Sequence, residues 1–113
     1  VYKRCKACHQ VGEGASNRTG PELNGLLCRA AGSVEGFSYS DPLMAKAGEG
    51  LVWSAEALME YLENPSDYLG GRSKMTLKLK KEDQRADVIA YLAQFKADGT
   101  MYGDGEAPDG TCQ

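Results

Sequence analysis

The 113 residues predict an all-α domain of three main helices joined by long loops. Apolar residues recur at helical spacing in two segments, 54–63 and 81–96. No segment alternates apolar and polar residues as a half-buried strand would. The 14 glycines cluster between and after the periodic segments, which marks those stretches as connections. A 42% hydrophobic content supports one modest core and leaves no room for a second catalytic domain. No apolar run approaches the roughly eighteen residues that a membrane-spanning helix needs. The chain begins at Val1 without an initiator methionine, so it reads as processed or as a fragment.

The first helix is short. Ser40 caps it, Asp41 and Pro42 open it where a missing N–H costs nothing, and Gly48 ends it. Ser54 caps the second, whose Ala55, Leu58, Met59 and Leu62 form one apolar face until Asn64 and Pro65 stop it. The third and longest covers 81–96, with a stripe of Val88, Leu92 and Phe95 widened by Ile89 and Tyr91, and Asp98-Gly99 closes it. Before these helices, residues 11–37 carry six glycines and little periodicity, and a loop of that length in a small domain encloses something. Residues 1–97 are read as the domain and 98–113 as an acidic, glycine-rich tail, mobile unless Cys112 ties it down.

A net charge of -3 and a pI near 5.1 argue against a nucleic-acid partner, whose phosphates would have to be neutralised. The charge is unevenly spread. Residues 72–81 hold five bases and no acid, residues 49–67 five acids and no base, and the stretch from Asp98 to the end four acids and no base. The resulting dipole can orient the molecule toward a charged partner before contact, although two solvated faces would leave the same pattern.

Cys5, Cys8 and His9 stand in C-K-A-C-H, with His9 the only histidine. Two thiols three residues apart can each add to one vinyl group of a haem while the adjacent imidazole reaches the iron. A zinc site would need a fourth ligand from the distant Cys28 or Cys112, neither in a second C-x-x-C. A thioredoxin-like motif would need a preceding strand and a βαβ pattern. A lone histidine excludes bis-histidine ligation, which leaves Met44, Met59, Met75 and Met101 as candidates for the second axial position. Met59 belongs to the apolar face of the second helix, Met44 to the short helix and Met101 to the tail. Met75 follows the Gly70-Gly71 turn in a polar loop where no packing stripe accounts for it, and is the expected sixth ligand.

With C-K-A-C-H at 5–9, T-G-P-E-L at 19–23, G-F-S-Y at 36–39, W-S-A-E-A-L-M-E-Y-L-E-N-P at 53–65, S-K-M at 73–75 and D-V-I-A-Y-L at 87–92, the chain resembles the class I c-type cytochromes over residues 1–95. It looks most like the bacterial cytochrome c2 group. The resemblance implies a cytochrome c fold, three main helices around one covalently bound haem c. It makes Cys5 and Cys8 the thioether attachments, His9 and Met75 the axial ligands, and the Pro21 carbonyl the acceptor for the His9 ring N–H. Arg29, Tyr39 and Trp53 match positions that hold haem propionates; Tyr61 and Ser73 match groups beside the axial methionine.

The chain also departs from that pattern. Family members carry a helix before the first cysteine where this chain has only V-Y-K-R, which predicts an uncovered Val88, Leu92 and Phe95 stripe and weak self-association. Leu77 stands where phenylalanine is common, and Cys28 where glycine is common. Cys28 and Cys112 remain after haem attachment, which takes place outside the cytosol where disulfides persist, and one bridge between them is expected; the alternative is two free thiols. The implied function is a periplasmic electron carrier, not an enzyme, with a cytochrome bc complex as donor, a cytochrome oxidase or photosynthetic reaction centre as acceptor, and Lys74, Lys78 and Lys80 docking an acidic surface. A haem peroxidase or sensor that displaces the methionine would need a distal acid-base residue, and no second histidine exists to serve.

Overall fold

The computed structural model describes residues 2, 5, 6, 8–75, 77–103 and 105–112; Val1, Lys3, Arg4, Ala7, Thr76, Asp104 and Gln113 lie outside them. The chain folds into α1 (Asp41–Gly48), α2 (Ala55–Glu63), α3 (Pro65–Leu69) and α4 (Glu82–Ala93). The described residues form no sheet, only isolated bridges between Ala30 and Val52 and between Phe95 and Met101.

The helix starts obey local chemistry. Ser40 Oγ accepts the Leu43 N–H and Ser54 Oγ the Ala57 N–H, each satisfying a donor that the first turn leaves without a helical partner. Helix α3 was not expected from the periodicity, which stops at Pro65. Asn64 ends α2 in an extended conformation and caps α3 through Oδ1 to the Asp67 N–H, while Pro65 supplies the first residue. Gly70, at φ 70°, then closes α3 in the left-handed conformation that glycine adopts without steric cost. Helix α4 ends three residues before the expected Lys96. A tight turn takes over its last backbone groups: Lys96 N–H donates to the Thr100 carbonyl and Tyr102 N–H to the Gln94 carbonyl.

Helix α2 packs against both α4 and α3, and α1 against α3. Leu58 and Leu62 share one core with Leu79, Val88, Ile89 and Leu92. Leu79 is fully buried and donates its N–H to the Leu62 carbonyl at 2.8 Å. From α4, Arg85 Nη1 reaches back to the Leu79 and Lys80 carbonyls, both at 2.9 Å, and anchors the end of the basic run to the core.

The expected uncovered stripe is overturned. Val88, Leu92 and Phe95 are 1%, 4% and 8% exposed, and only Tyr91 on that face is open to solvent. Helix α2 covers Val88 and Leu92 through the shared core. The Gly25 N–H bonds to the Phe95 carbonyl, and the Tyr2 ring lies 5.0 Å from that of Tyr91. The exposed patch proposed to drive self-association is therefore absent among the described residues.

The acidic tail is fastened at its end. Cys28 and Cys112 form a disulfide with their Cα atoms 5.5 Å apart. The buried Gly110 accepts the Ala55 N–H at the start of α2, so the tail caps a helix of the domain. Cys28 has φ 68° and is the one non-glycine among the described residues in the left-handed region, which explains why glycine suits this position. Its N–H donates to the Trp53 carbonyl, and the Trp53 N–H to the Arg29 carbonyl.

Replacing Cys112 with Ser should lower stability by about 2–4 kcal/mol, because the bridge closes a separation of 84 residues in the unfolded chain. In that background, Cys28→Gly should be about 1 kcal/mol more stable than Cys28→Ala, since only the alanine keeps a Cβ in left-handed backbone. Urea unfolding midpoints check both; an alanine variant as stable as the glycine variant contradicts the backbone argument.

Candidate haem-binding site

Cys5, Cys8 and His9 are joined by one hydrogen-bonded turn. Cys8 and His9 both donate their N–H groups to the Cys5 carbonyl at 3.0 Å, so the two thiols and the imidazole project from adjacent positions of one coil. Cys5 is buried in the core cluster and Cys8 is half-buried. The loop after this turn folds back on it: Gly20 N–H donates to the Cys8 carbonyl at 2.7 Å, and His9 Nδ1 lies 2.8 Å from the Pro21 carbonyl.

The Pro21 contact settles the imidazole's tautomer. A carbonyl can only accept, so Nδ1 carries the proton and Nε2 keeps its lone pair for a metal. Burial holds the His9 pKa below the usual imidazole value; the Pro21 bond pushes it upward, and the Arg29 charge adds to the lowering. Burial and the Arg29 charge favour the neutral ring, and the Pro21 contact selects its Nδ1–H tautomer. Gly20 is essential to this approach, because a Cβ there would strike the His9 ring.

The 11–37 loop is tied down by side-chain amides rather than by helix. Asn24 exchanges two hydrogen bonds with the Gly12 backbone, at 2.8 and 2.9 Å, and Asn17 Oδ1 accepts the Glu22 N–H. Arg29 Nη1 donates to the Glu22 and Asn24 carbonyls, both at 3.1 Å, and lies 3.6 Å from the Glu22 carboxylate. Arg29 thus braces the loop segment directly after Pro21. Burial lowers its pKa, an effect opposed by Glu22 and Tyr39.

Further along the chain, Met75 is half-buried against the same apolar cluster that holds Cys5, Trp53 and Leu79. The Tyr61 hydroxyl points to the Met75 sulfur at 3.7 Å. Burial pushes the Tyr61 pKa up, partly offset by a hydrogen bond with the Ser73 hydroxyl, so Tyr61 stays a protonated donor. Ser73 Oγ also accepts the Met75 N–H at 3.0 Å. Trp53 is buried with its ring 4.8 Å from that of Tyr61, and Tyr39 accepts the Val34 N–H on its hydroxyl. Met44 and Met101, by contrast, are 46% and 53% exposed.

These residues fit a covalent haem: two thiols one turn apart, a neutral imidazole with its outer nitrogen committed to a carbonyl, a thioether with a hydrogen-bond donor, and an apolar cluster connecting them. The steric role of Gly20 and the loop-bracing of Arg29 were not foreseen; the G-P step at 20–21 was the one available signal for the first.

No protein-family model matches the chain. Cytochrome c-550 of Ancylobacter novellus is 51% identical over 100 residues, covering 88% of this chain and 94% of that protein. Cytochrome c2 of Afifella marina is 46% identical over 99 residues, covering 88% and 80%. The solved structure of cytochrome c2 from Rhodospirillum centenum superimposes with a TM-score of 0.81 at 40% identity, over 84% of this chain and 92% of that one. The chain therefore belongs to the class I c-type cytochromes, in the cytochrome c2 group of mono-haem electron carriers, and its cofactor is one covalently bound haem c.

Proposed function

We propose that this carrier shuttles single electrons between membrane complexes in the periplasm, with Cys5 and Cys8 as thioether attachments and His9 and Met75 as axial ligands. The observation that carries the reading is the His9 Nδ1 contact with the Pro21 carbonyl, which leaves Nε2 for iron. Haem c supplies a one-electron Fe(II)/Fe(III) couple when bound. The chain's own residues hold that couple in place. Pro21 keeps the imidazole in one tautomer and one orientation. Tyr61 donates to the Met75 sulfur and Ser73 fixes the Met75 backbone, which together set the thioether's position and donor strength. Arg29, Tyr39 and Trp53 would hold the propionates, for which charged and neutral donors offset the cost of burying carboxylates. Among the described residues no helix is long and apolar enough to cross a membrane.

A cytochrome bc complex is the proposed donor, and a cytochrome oxidase or photosynthetic reaction centre the acceptor. Lys74, Lys78 and Lys80 are exposed, Lys74 Nζ resting on the Ser38 carbonyl, and they flank Met75 as a positive docking surface for an acidic partner.

Met75→Ala should abolish the methionine-to-ferric-iron charge-transfer band and lower the midpoint potential, whereas Met59→Leu should leave the optical spectrum unchanged; equal effects contradict the assignment. Gly20→Ala should displace the His9 ring from Pro21 and cut the yield of haem-loaded protein, read by pyridine haemochrome absorbance per mole of chain. Normal loading with unaltered spectra would show that the Gly20 approach is not needed. Reversing Lys74 and Lys78 to Glu should slow electron transfer to the partner about tenfold or more at low salt and much less at high salt, because charge there acts on encounter. Rates insensitive to both reversal and ionic strength would exclude this docking surface.

A further inference from the structure

The loop that presents Met75 is held from α3 by one side chain. Ser66 is the second residue of α3, whose start is fixed by the fully buried Pro65 and the Asn64 cap. Its backbone carbonyl accepts the Gly71 N–H at 3.2 Å, and its hydroxyl accepts the Ser73 N–H at 2.9 Å. One residue therefore grips both ends of the turn that follows Gly70. The next bond continues the chain: Ser73 Oγ accepts the Met75 N–H at 3.0 Å. Ser73 is only 6% exposed, so its N–H has little access to water if the Ser66 oxygen is removed.

We infer that Ser66 is a positioning residue for the sixth iron ligand: its hydroxyl clamps the Met75 loop to α3 through Ser73 and so opposes release of the thioether. This rests on the assignment of Met75 as axial ligand. A thioether is a weak donor, and its residence on the metal depends on how rarely its loop opens. An opening that must break the Ser66–Ser73 bond is penalised; with alanine at 66 the closed loop instead strands a buried N–H, and the balance shifts toward opening.

The test uses ferric holoprotein titrated with imidazole, which takes the sixth position only when Met75 leaves it. The apparent imidazole affinity scales with the open fraction of the loop. Ser66→Ala should bind imidazole roughly tenfold more tightly than the parent, while Ser66→Thr, which keeps the hydroxyl, stays within about twofold of it. Unchanged affinity in Ser66→Ala, with a normal methionine-iron band in the parent, overturns the clamp alone. A parent protein without that band overturns the ligand assignment and the clamp with it. Should Ser66→Ala not fold, exchange of the Ser73 amide in the parent decides: protection that is lost on imidazole binding supports the clamp, and exchange at the rate of an open amide overturns it.

Discussion

The hydrogen bond between His9 Nδ1 and the Pro21 carbonyl is the constraint around which the site is arranged. It joins the first turn to a loop with no helix of its own, and it fixes which ring nitrogen carries the proton. Its geometry needs Gly20 without a Cβ, the Gly20 N–H on the Cys8 carbonyl, and a braced segment after Pro21. Arg29 provides that brace by holding the Glu22 and Asn24 carbonyls, and its backbone is in turn bonded to Trp53. A contact of 2.8 Å thus depends on residues as far along the chain as 53. None of these bonds is individually strong, each contributing about 1 kcal/mol net. They act together because each removes freedom from the same loop.

The disulfide extends that network to the end of the chain. Cys28 sits between Leu27 and Arg29 in left-handed backbone and bonds to the Trp53 carbonyl, while the tail it captures caps α2 through Gly110. A residue that would be strained in isolation is thereby held by a covalent link on one side and a backbone bond on the other. The tail also lies over the N-terminus of the helix that carries Met59 and Tyr61. Fastening the tail and rigidifying the Arg29–Trp53 segment are one structural event.

Much of this was legible beforehand, where local chemistry decides the outcome. The Ser40 and Ser54 caps, the α2 stripe and the Cys28–Cys112 pair were readable because each is specified by residues near in sequence or by an even thiol count. Helix α3 was not, since five residues offer no apolar period and its signal lay in Asn64 acting as the end of one helix and the cap of the next. The burial of Val88, Leu92 and Phe95 was also missed: α2 covers Val88 and Leu92 and the 11–37 loop bonds the Phe95 backbone through Gly25, and such long-range packing leaves no trace in the periodicity of α4. Ser66 reads as ordinary polar helix surface, and only the fold brings its hydroxyl to the Ser73 N–H. Within the candidate site, the cysteines, the histidine and the methionine stand out by type and spacing; the groups bonded to them are backbone carbonyls and hydroxyls, common residues whose role is set by place.

The central claim is that His9 presents Nε2 to iron because Pro21 occupies Nδ1. Nitrogen NMR of ferric holoprotein labelled at histidine tests it directly, since the chain has one histidine. The account predicts one nitrogen with a directly bonded proton slow to exchange, correlated with the Pro21 carbonyl, and the other with a large paramagnetic shift from iron. A proton on the shifted nitrogen's partner that exchanges freely with water, or a ring in which neither nitrogen carries the paramagnetic shift, would contradict it.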